Sequence, residues 1–325
     1  MRILLFLGLI ILIAAAWASG WYYAAGQVEQ GIALVKQRLA AREQILICEN
    51  EQTVGFPFRI GIACDELTYR SGVTGLELSA NASRSATQFY DPTKAIIELS
   101  SPGHVKTPSG VNIATTWQSL RASLKADFSG PKRFSVQGKG LELHATDKQE
   151  PARVEEFQLH GRKSNEDDAD LALSLTNYQN PPSLSKFFPD FDLEADISLI
   201  NAYNDLLDQT NLVRLARAKG LNGTVRRLSY HLRKGGEINM SGPIEVHPSG
   251  LISGQFNIST SNPDAIAQTA TNAYPAARSI ITQVLRGLKL IAGGSEDGSI
   301  DVTITVRQGK ASVGFIPVGE IPPIF

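Results

Sequence analysis

Cys48 and Cys64 are the only two thiols in a chain of 325 residues. They bracket an apolar tetrapeptide, Gly55-Phe56-Pro57-Phe58. The two sulfurs are too far apart in sequence for a Cys-x-x-Cys redox pair, and no histidine stands near either one to complete a four-ligand zinc site. The chemistry left to them is a bond to each other. If residues 45–52 and 58–65 are antiparallel strands folded about Phe56, positions 48 and 64 are equidistant from the turn and face one another, as a cross-strand bridge requires. Closing a loop of about 15 residues contributes roughly 3 kcal/mol in the chain-entropy model. Gly55 tolerates positive φ and Pro57 lacks a backbone donor, so the tetrapeptide suits a turn, with Phe56 and Phe58 expected in the core.

The other reactive side chains form no catalytic pattern. His104, His144, His160, His231 and His247 include no His-x-x-x-His pair, and His144 and His160 fall in strand-like stretches as solvent-facing residues. No Gly-x-Ser-x-Gly elbow, phosphate-binding Walker loop or dinucleotide fingerprint occurs. The acidic run 165–170 lacks the spacing of a calcium loop and reads as a solvated hairpin tip. Arg226, Arg227, His231, Arg233 and Lys234 alternate with Leu228, Tyr230 and Leu232, the polar face of a half-buried strand. The expectation is a non-enzymatic protein with no catalytic residues, metal site or cofactor.

With 31 basic and 32 acidic side chains, nothing here neutralises a phosphate backbone, and nucleic acid is excluded as a partner. The amino terminus points elsewhere. From Ile3 to Ala25 the chain is uncharged and apolar, reaching about 34 Å at ~1.5 Å per helical residue, enough for a ~30 Å hydrocarbon layer. Arg2 holds the leading end in the cytoplasm and sends the body across the inner membrane to the periplasm. Trp17, Trp21, Tyr22 and Tyr23 fall at an outer-face aromatic belt. Ala16-Trp17-Ala18 also fits a signal-peptide cleavage pattern, so a tethered and a released body both remain open; either way the chain is exported. An oxidising compartment favours the Cys48–Cys64 disulfide.

The elements that carry these residues follow from periodicity. Val28, Ile32, Val35 and Leu39 recur at helical spacing over residues 26–43. Most of the chain then alternates with period two, as in Ile97/Leu99, Phe157/Leu159 and Leu171/Leu173/Leu175. Helices interrupt it near 201–219, with Leu206, Leu207, Val213 and Leu215 as core face, and near 263–291, divided at Pro275. The fold class is α+β: a membrane helix over residues 1–25, then a large, curved, mainly antiparallel β-sheet with covering helices over 26–325. Pro181, Pro182 and Pro189 mark a possible seam near 180–190.

The anchor, Cys48, Gly55-Phe56-Pro57-Phe58-Arg59 and Cys64, with the closing Gly314-Phe315-Ile316-Pro317-Val318-Gly319 and Ile321-Pro322-Pro323, resemble the bacterial envelope family called domain of unknown function 2125. That resemblance implies no activity. The plan is also similar to the AsmA-like envelope proteins, whose anchored, curved sheets form apolar grooves that handle lipid. It implies a role in envelope maintenance, holding or passing lipid along an apolar β-groove. The alternative is a scaffold that binds another envelope protein through a sheet edge or helix.

Overall fold

A computed structural model of the chain describes residues 2–127, 130–145, 150–165, 167–181, 189–208, 212–233, 235–291 and 299–325. The chain divides into two compact units, residues 1–149 and 150–325. The proline-rich stretch 180–190 lies inside the second unit, and its residues 182–188 are outside the described ones. A long apolar helix precedes antiparallel strands throughout, with a few short helices between them.

The helix α1 (Arg2–Ala40) is unbroken, so the apolar leader and the amphipathic stretch after it are one element of 39 residues. Its first turns are exposed, and it is long and apolar enough to cross a membrane. Farther along, Trp21, Ala25, Val28 and Ile32 recur every three or four residues and form the face that meets the sheet. Trp21 and Ala25 are buried against Ile60. Val35, expected on that face, is exposed; the stripe advances from Ile32 to Lys36, which pairs with Glu51.

The first unit is a meander of long strands, all but the last of which break at one crease. The pairs are β1 (Gln44–Glu49) with β2 (Gln52–Val54), β3 (Arg59–Cys64) with β4 (Glu66–Ser71), and β5 (Glu77–Ala80) with β6 (Ser83–Gln88). Next come β7 (Asp91–Leu99) with β8 (Gly103–Lys106), β9 (Asn112–Thr116) with β10 (Ser119–Asp127), and the unbroken β11 (Gly130–His144). Register shows that each pair is one bent strand. Thr53 faces Ile62 and Cys48 faces Leu67 in a single continuous register. Likewise Ile60 faces Thr87 while Leu67 faces Ala80, and Ala122 faces Val136 while Thr115 faces Leu143.

The breaks line up across the sheet, and its backbone groups remain satisfied there. Asp65 N–H donates to the Glu49 carbonyl (2.9 Å), Ser100 N–H to Ala82 (2.7 Å), Asn81 N–H to Pro102 (3.1 Å) and Gln118 N–H to Lys139 (2.9 Å). Trp117 fills the bend, its indole donating to the Leu99 carbonyl (2.8 Å). Gly103 is needed beneath that ring, since a Cβ there would lie 2.5 Å from it.

The disulfide exists, in a different place from the one the sequence suggests. Cys48 is opposite Leu67 in the ladder, not opposite Cys64, because the hairpin turns about residues 57 and 58 and not about Phe56. The two cysteines sit on different arms of the crease, with Cα atoms 5.2 Å apart. Asn50, at φ 49°, makes the bend that brings them together. The bond therefore staples the fold angle of the first hairpin, not merely its two edges.

The second unit is a simpler meander in chain order: β12 (Ala152–Lys163), β13 (Ala169–Gln179), β14 (Phe191–Leu199), β15 (Leu221–Leu232), β16 (Glu237–Val246), β17 (Ile252–Ser261), β18 (Ile300–Arg307), β19 (Lys310–Val313) and β20 (Ile316–Glu320). Alternation places Phe157 opposite Leu175 and Leu159 opposite Leu173 on an apolar face. The tight turn after β18 has positive φ at both Gln308 and Gly309, the twist a two-residue hairpin favours.

Between β14 and β15 the expected single helix is two, α2 (Tyr203–Asp208) and α3 (Leu212–Lys219). Leu215 is fully buried and Leu206 partly so, whereas Val213 is 43% exposed and belongs to the outer face; the side chain of Leu207 lies outside the described residues. The acidic tip 165–170 holds the start of α2: the Asp168 and Asp167 carboxylates accept from the backbone N–H groups of Asn201 (2.9 Å) and Asn204 (3.1 Å). Helices α4 (Pro263–Ala273) and α5 (Arg278–Ile291) follow β17, parted as expected at Tyr274–Pro275. The Asn262 side chain accepts from Ala265 N–H, with Pro263 in the first turn, where its missing donor is harmless.

The polar face of this unit is tied together by Asp170, which is buried. It accepts from Ser198 Oγ (2.7 Å), Arg226 Nη1 (2.7 Å) and Arg162 Nε (3.0 Å). Burial pushes its pKa up, but these three hydrogen bonds outweigh it and hold the carboxyl below the usual carboxylate range.

Two expected outcomes follow from these contacts. Replacing both Cys48 and Cys64 by Ser lowers stability by about 3 kcal/mol, read as a lower melting temperature of the detergent-solubilised chain and as faster amide exchange in β1 to β4. Asp170→Asn costs about 2 kcal/mol at pH 7, since the hydrogen bonds lose the carboxylate charge and one of its two acceptor oxygens becomes a donor. A depressed folded pKa gives stability that is complete above the unfolded value of about 4 and lost as pH falls through the folded one. Melting curves at pH 7 and pH 3 should therefore show the gap between Asp170→Asn and the parent chain narrowing in acid.

Candidate functional site

Three features are candidates: the Gly55–Phe58 turn, the apolar face of the first unit, and an apolar groove in the second. The turn joins β2 to β3 and is built from backbone constraints. Gly55 has φ 111°, and a Cβ there would sit 2.7 Å from the Arg59 carbonyl oxygen, so no other residue fits without displacement. Arg59 N–H donates back to the Gly55 carbonyl at 2.9 Å. The Phe56–Pro57 peptide is cis.

Phe56 and Phe58 are not core residues. They are 53% and 64% exposed, because the turn projects past the end of the sheet, where only the helix α1 and the Phe89 tip stand beside it. Trp17 donates its indole N–H to the Pro57 carbonyl (2.8 Å), and Trp21 donates to that of Arg59 (2.7 Å). Trp17 also packs edge-on against Phe89, and Trp21 against Phe56. These tryptophans, expected in an aromatic belt, meet the sheet. Their spacing of four on a helix carried the signal, since it puts both indoles on one face.

From this turn an apolar face runs across the lower arm of the first unit. Ile62, Ile97, Ala122 and Val136 fall in one cross-strand row, with Ser85 between the first two. Ile60, Ala95, Leu124 and Phe134 fall in the next, with Thr87 between the first two, and Leu124 and Phe134 remain 39% and 37% exposed. On the upper arm Leu46, Tyr69, Leu78, Val105 and Ile113 align. Cys64 belongs to the lower row set and Cys48 to the upper one; their bond shows that both rows lie on the same side.

In the second unit the two faces contrast. The polar face bounds a concavity of about 970 Å³ in which Asp192, Glu194, Arg227, His231 and Glu237 stand among serines and asparagines. Its basic residues are paired: Arg226 with Asp170 and Asp196, Arg227 with Glu194 (3.4 Å), Arg233 with Asp192 (3.9 Å). Lys234 lies outside the described residues. His160 is on this polar face beside Gln158 (3.1 Å), the solvent-side position its strand periodicity suggests.

The opposite face meets α4 and α5 in a groove of about 410 Å³. Ile238, Ile258 and Ile304 floor it; Ile266, Ile281 and Leu285 overhang it from the helices, and Thr260 supplies the one hydroxyl among the described lining residues. The expected helix stripe thus lines the groove at Ile266, Ala270, Ile281 and Leu285, while the side chains of Ala277, Val284 and Leu288 lie outside the described residues. The apolar groove is made by sheet and helices together, and the sheet's larger hollow is polar. Such a lining offers a ligand burial of hydrocarbon and almost nothing else.

A search of curated proteins found no match to the chain. The family of uncharacterised proteins conserved in bacteria, domain of unknown function 2125, matches residues 21–322, from Trp21 on the seated face of α1 to the tail beyond β20. With nearly the whole of both units covered, the chain belongs to that family.

Proposed function

We propose that this chain is a non-enzymatic protein of the bacterial envelope, anchored in the inner membrane by α1 with its two units in the periplasm, and that it holds or passes lipid on its apolar faces. The single observation that carries the reading is the groove under α4 and α5, whose lining is aliphatic apart from Thr260. Its volume falls within the ~300–1,000 Å³ of ordinary ligand sites. A fatty acyl chain gains about 0.8 kcal/mol per methylene removed from water, so ten buried methylenes supply roughly 8 kcal/mol before ordering costs. The partly exposed rows of the first unit, ending at Leu124 and Phe134, offer a second apolar surface.

Compartment is supported separately. The exposed, apolar start of α1 has the dimensions of a membrane span, and the Cys48–Cys64 bond belongs to an oxidising environment.

Native mass spectrometry of the full chain in mild detergent tests the reading. Phospholipid should co-purify, and Ile266→Glu, which puts a charge over the groove, should cut lipid per chain by about tenfold or more while leaving the circular dichroism spectrum unchanged. Bare protein in both samples, with one envelope protein crosslinked reproducibly, would replace lipid handling by the scaffold role.

A further inference from the structure

The free part of α1 is too short for the span it has to make. Its first contact with the sheet is Trp17, hydrogen-bonded to Pro57 and packed against Phe58 and Phe89. From Ile3 to Trp17 the helix rises about 21 Å, whereas a hydrocarbon layer is ~30 Å thick. The remaining ~9 Å corresponds to the helix from Trp17 to about Tyr23, which is where the rim of the first unit stands alongside. Tilting the helix makes the shortfall larger, and thinning the bilayer carries a cost for every ångström.

The rim has the chemistry that depth demands. It consists of Gly55–Phe58 and the neighbouring Phe89–Tyr90 tip, uncharged in both segments. Phe56, Phe58 and Tyr90 are 53%, 64% and 71% exposed, and Tyr22 and Tyr23 flank them on the helix at 69% and 73%. Part of its backbone is paired: the Gly55 carbonyl accepts from Arg59, that of Pro57 from Trp17 and that of Phe58 from Phe89, and Pro57 has no N–H to satisfy. In hydrocarbon an unpaired carbonyl or N–H is costly, so each of these bonds lowers the cost of bringing the rim to the depth of the acyl chains. Arg59, next in sequence, has a stem long enough to carry its charge back toward the headgroups.

We propose that this rim is a membrane-insertion site, and that its occupant is the acyl layer of the leaflet on the side of the bilayer where the two units lie. The proposal rests on α1 being retained as an anchor and not on the lipid-carrying role. Its consequence for that role is direct: the apolar rows begin at Ile60, one residue beyond Arg59, and so open at leaflet depth.

The test places a benzophenone photoprobe at Phe58, at Leu9 in the exposed helix and at Val111, a 45% exposed loop residue at the opposite end of the same unit. The full chain is reconstituted in vesicles of phosphatidylethanolamine and phosphatidylglycerol and illuminated. Lipid adducts at Phe58 should approach those at Leu9 and exceed those at Val111 by about tenfold or more. Adducts at Leu9 with none above the Val111 level at Phe58 would overturn the insertion site and leave the anchor standing. No adducts at Leu9 would remove the anchor, and the insertion site with it.

Discussion

The inward rows of the first unit, with Ile60 and Ile62 on one arm and Leu46 and Tyr69 on the other, have to stay on one side of a sheet that bends in the middle. In a regular strand, side chains alternate, so a sharp bend that costs one residue would throw the rest of the strand to the opposite face. The strands solve this with an extra residue at the crease. Along the second long strand the inward positions are Ile60, Ile62 and Cys64 before the bend and Leu67 and Tyr69 after it, with Asp65 absorbing the change of parity. The fifth does the same, from Ile113 and Thr115 to Leu120, Ala122 and Leu124. Partner strands take the extra residue at the same place, so the register passes through the bend unshifted, and the cross-crease hydrogen bonds together with Trp117 close it.

Helix α1 completes this arrangement. Trp21 and Ala25 cover Ile60, and two indoles take up carbonyls that the end of the hairpin would otherwise expose. Thr53 meets Glu29, and Glu51 meets Lys36, so the helix follows the first strand along much of its length. The disulfide then holds the arms of that same hairpin at a fixed angle. Sheet, helix and covalent bond converge on one short segment, which explains why the chain concentrates its only cysteines there.

Much of this was legible in the residues, and the exceptions have definite causes. Period-two runs identified strands such as those of Phe157 and Leu173, and helical spacing together with Pro275 identified the later helices. The crease was not legible, because the extra residue there leaves inward residues at spacing three, as from Cys64 to Leu67, which resembles a loop. Phe56 and Phe58 were misplaced since hydrophobicity predicts removal from water without saying whether protein or something else provides it. Val35 and Val213 illustrate a smaller error: on an amphipathic helix a neighbouring apolar residue can fall outside the seated arc. The groove under α4 and α5 depends on two elements distant in sequence, and periodicity indicated each lining without showing that they would face one another.

In both units strand order follows chain order, and each strand pairs with the ones made just before and after it. Among the described strands, with each bent pair counted as one, each ladder partner is the next strand in the chain, which keeps contact order low for so β-rich a chain. Such a meander can zip up hairpin by hairpin as residues arrive from one end, starting beside the helix that leads it. A sheet of this design is also extensible: adding or losing a hairpin at its far margin changes its length without reordering a single existing pair.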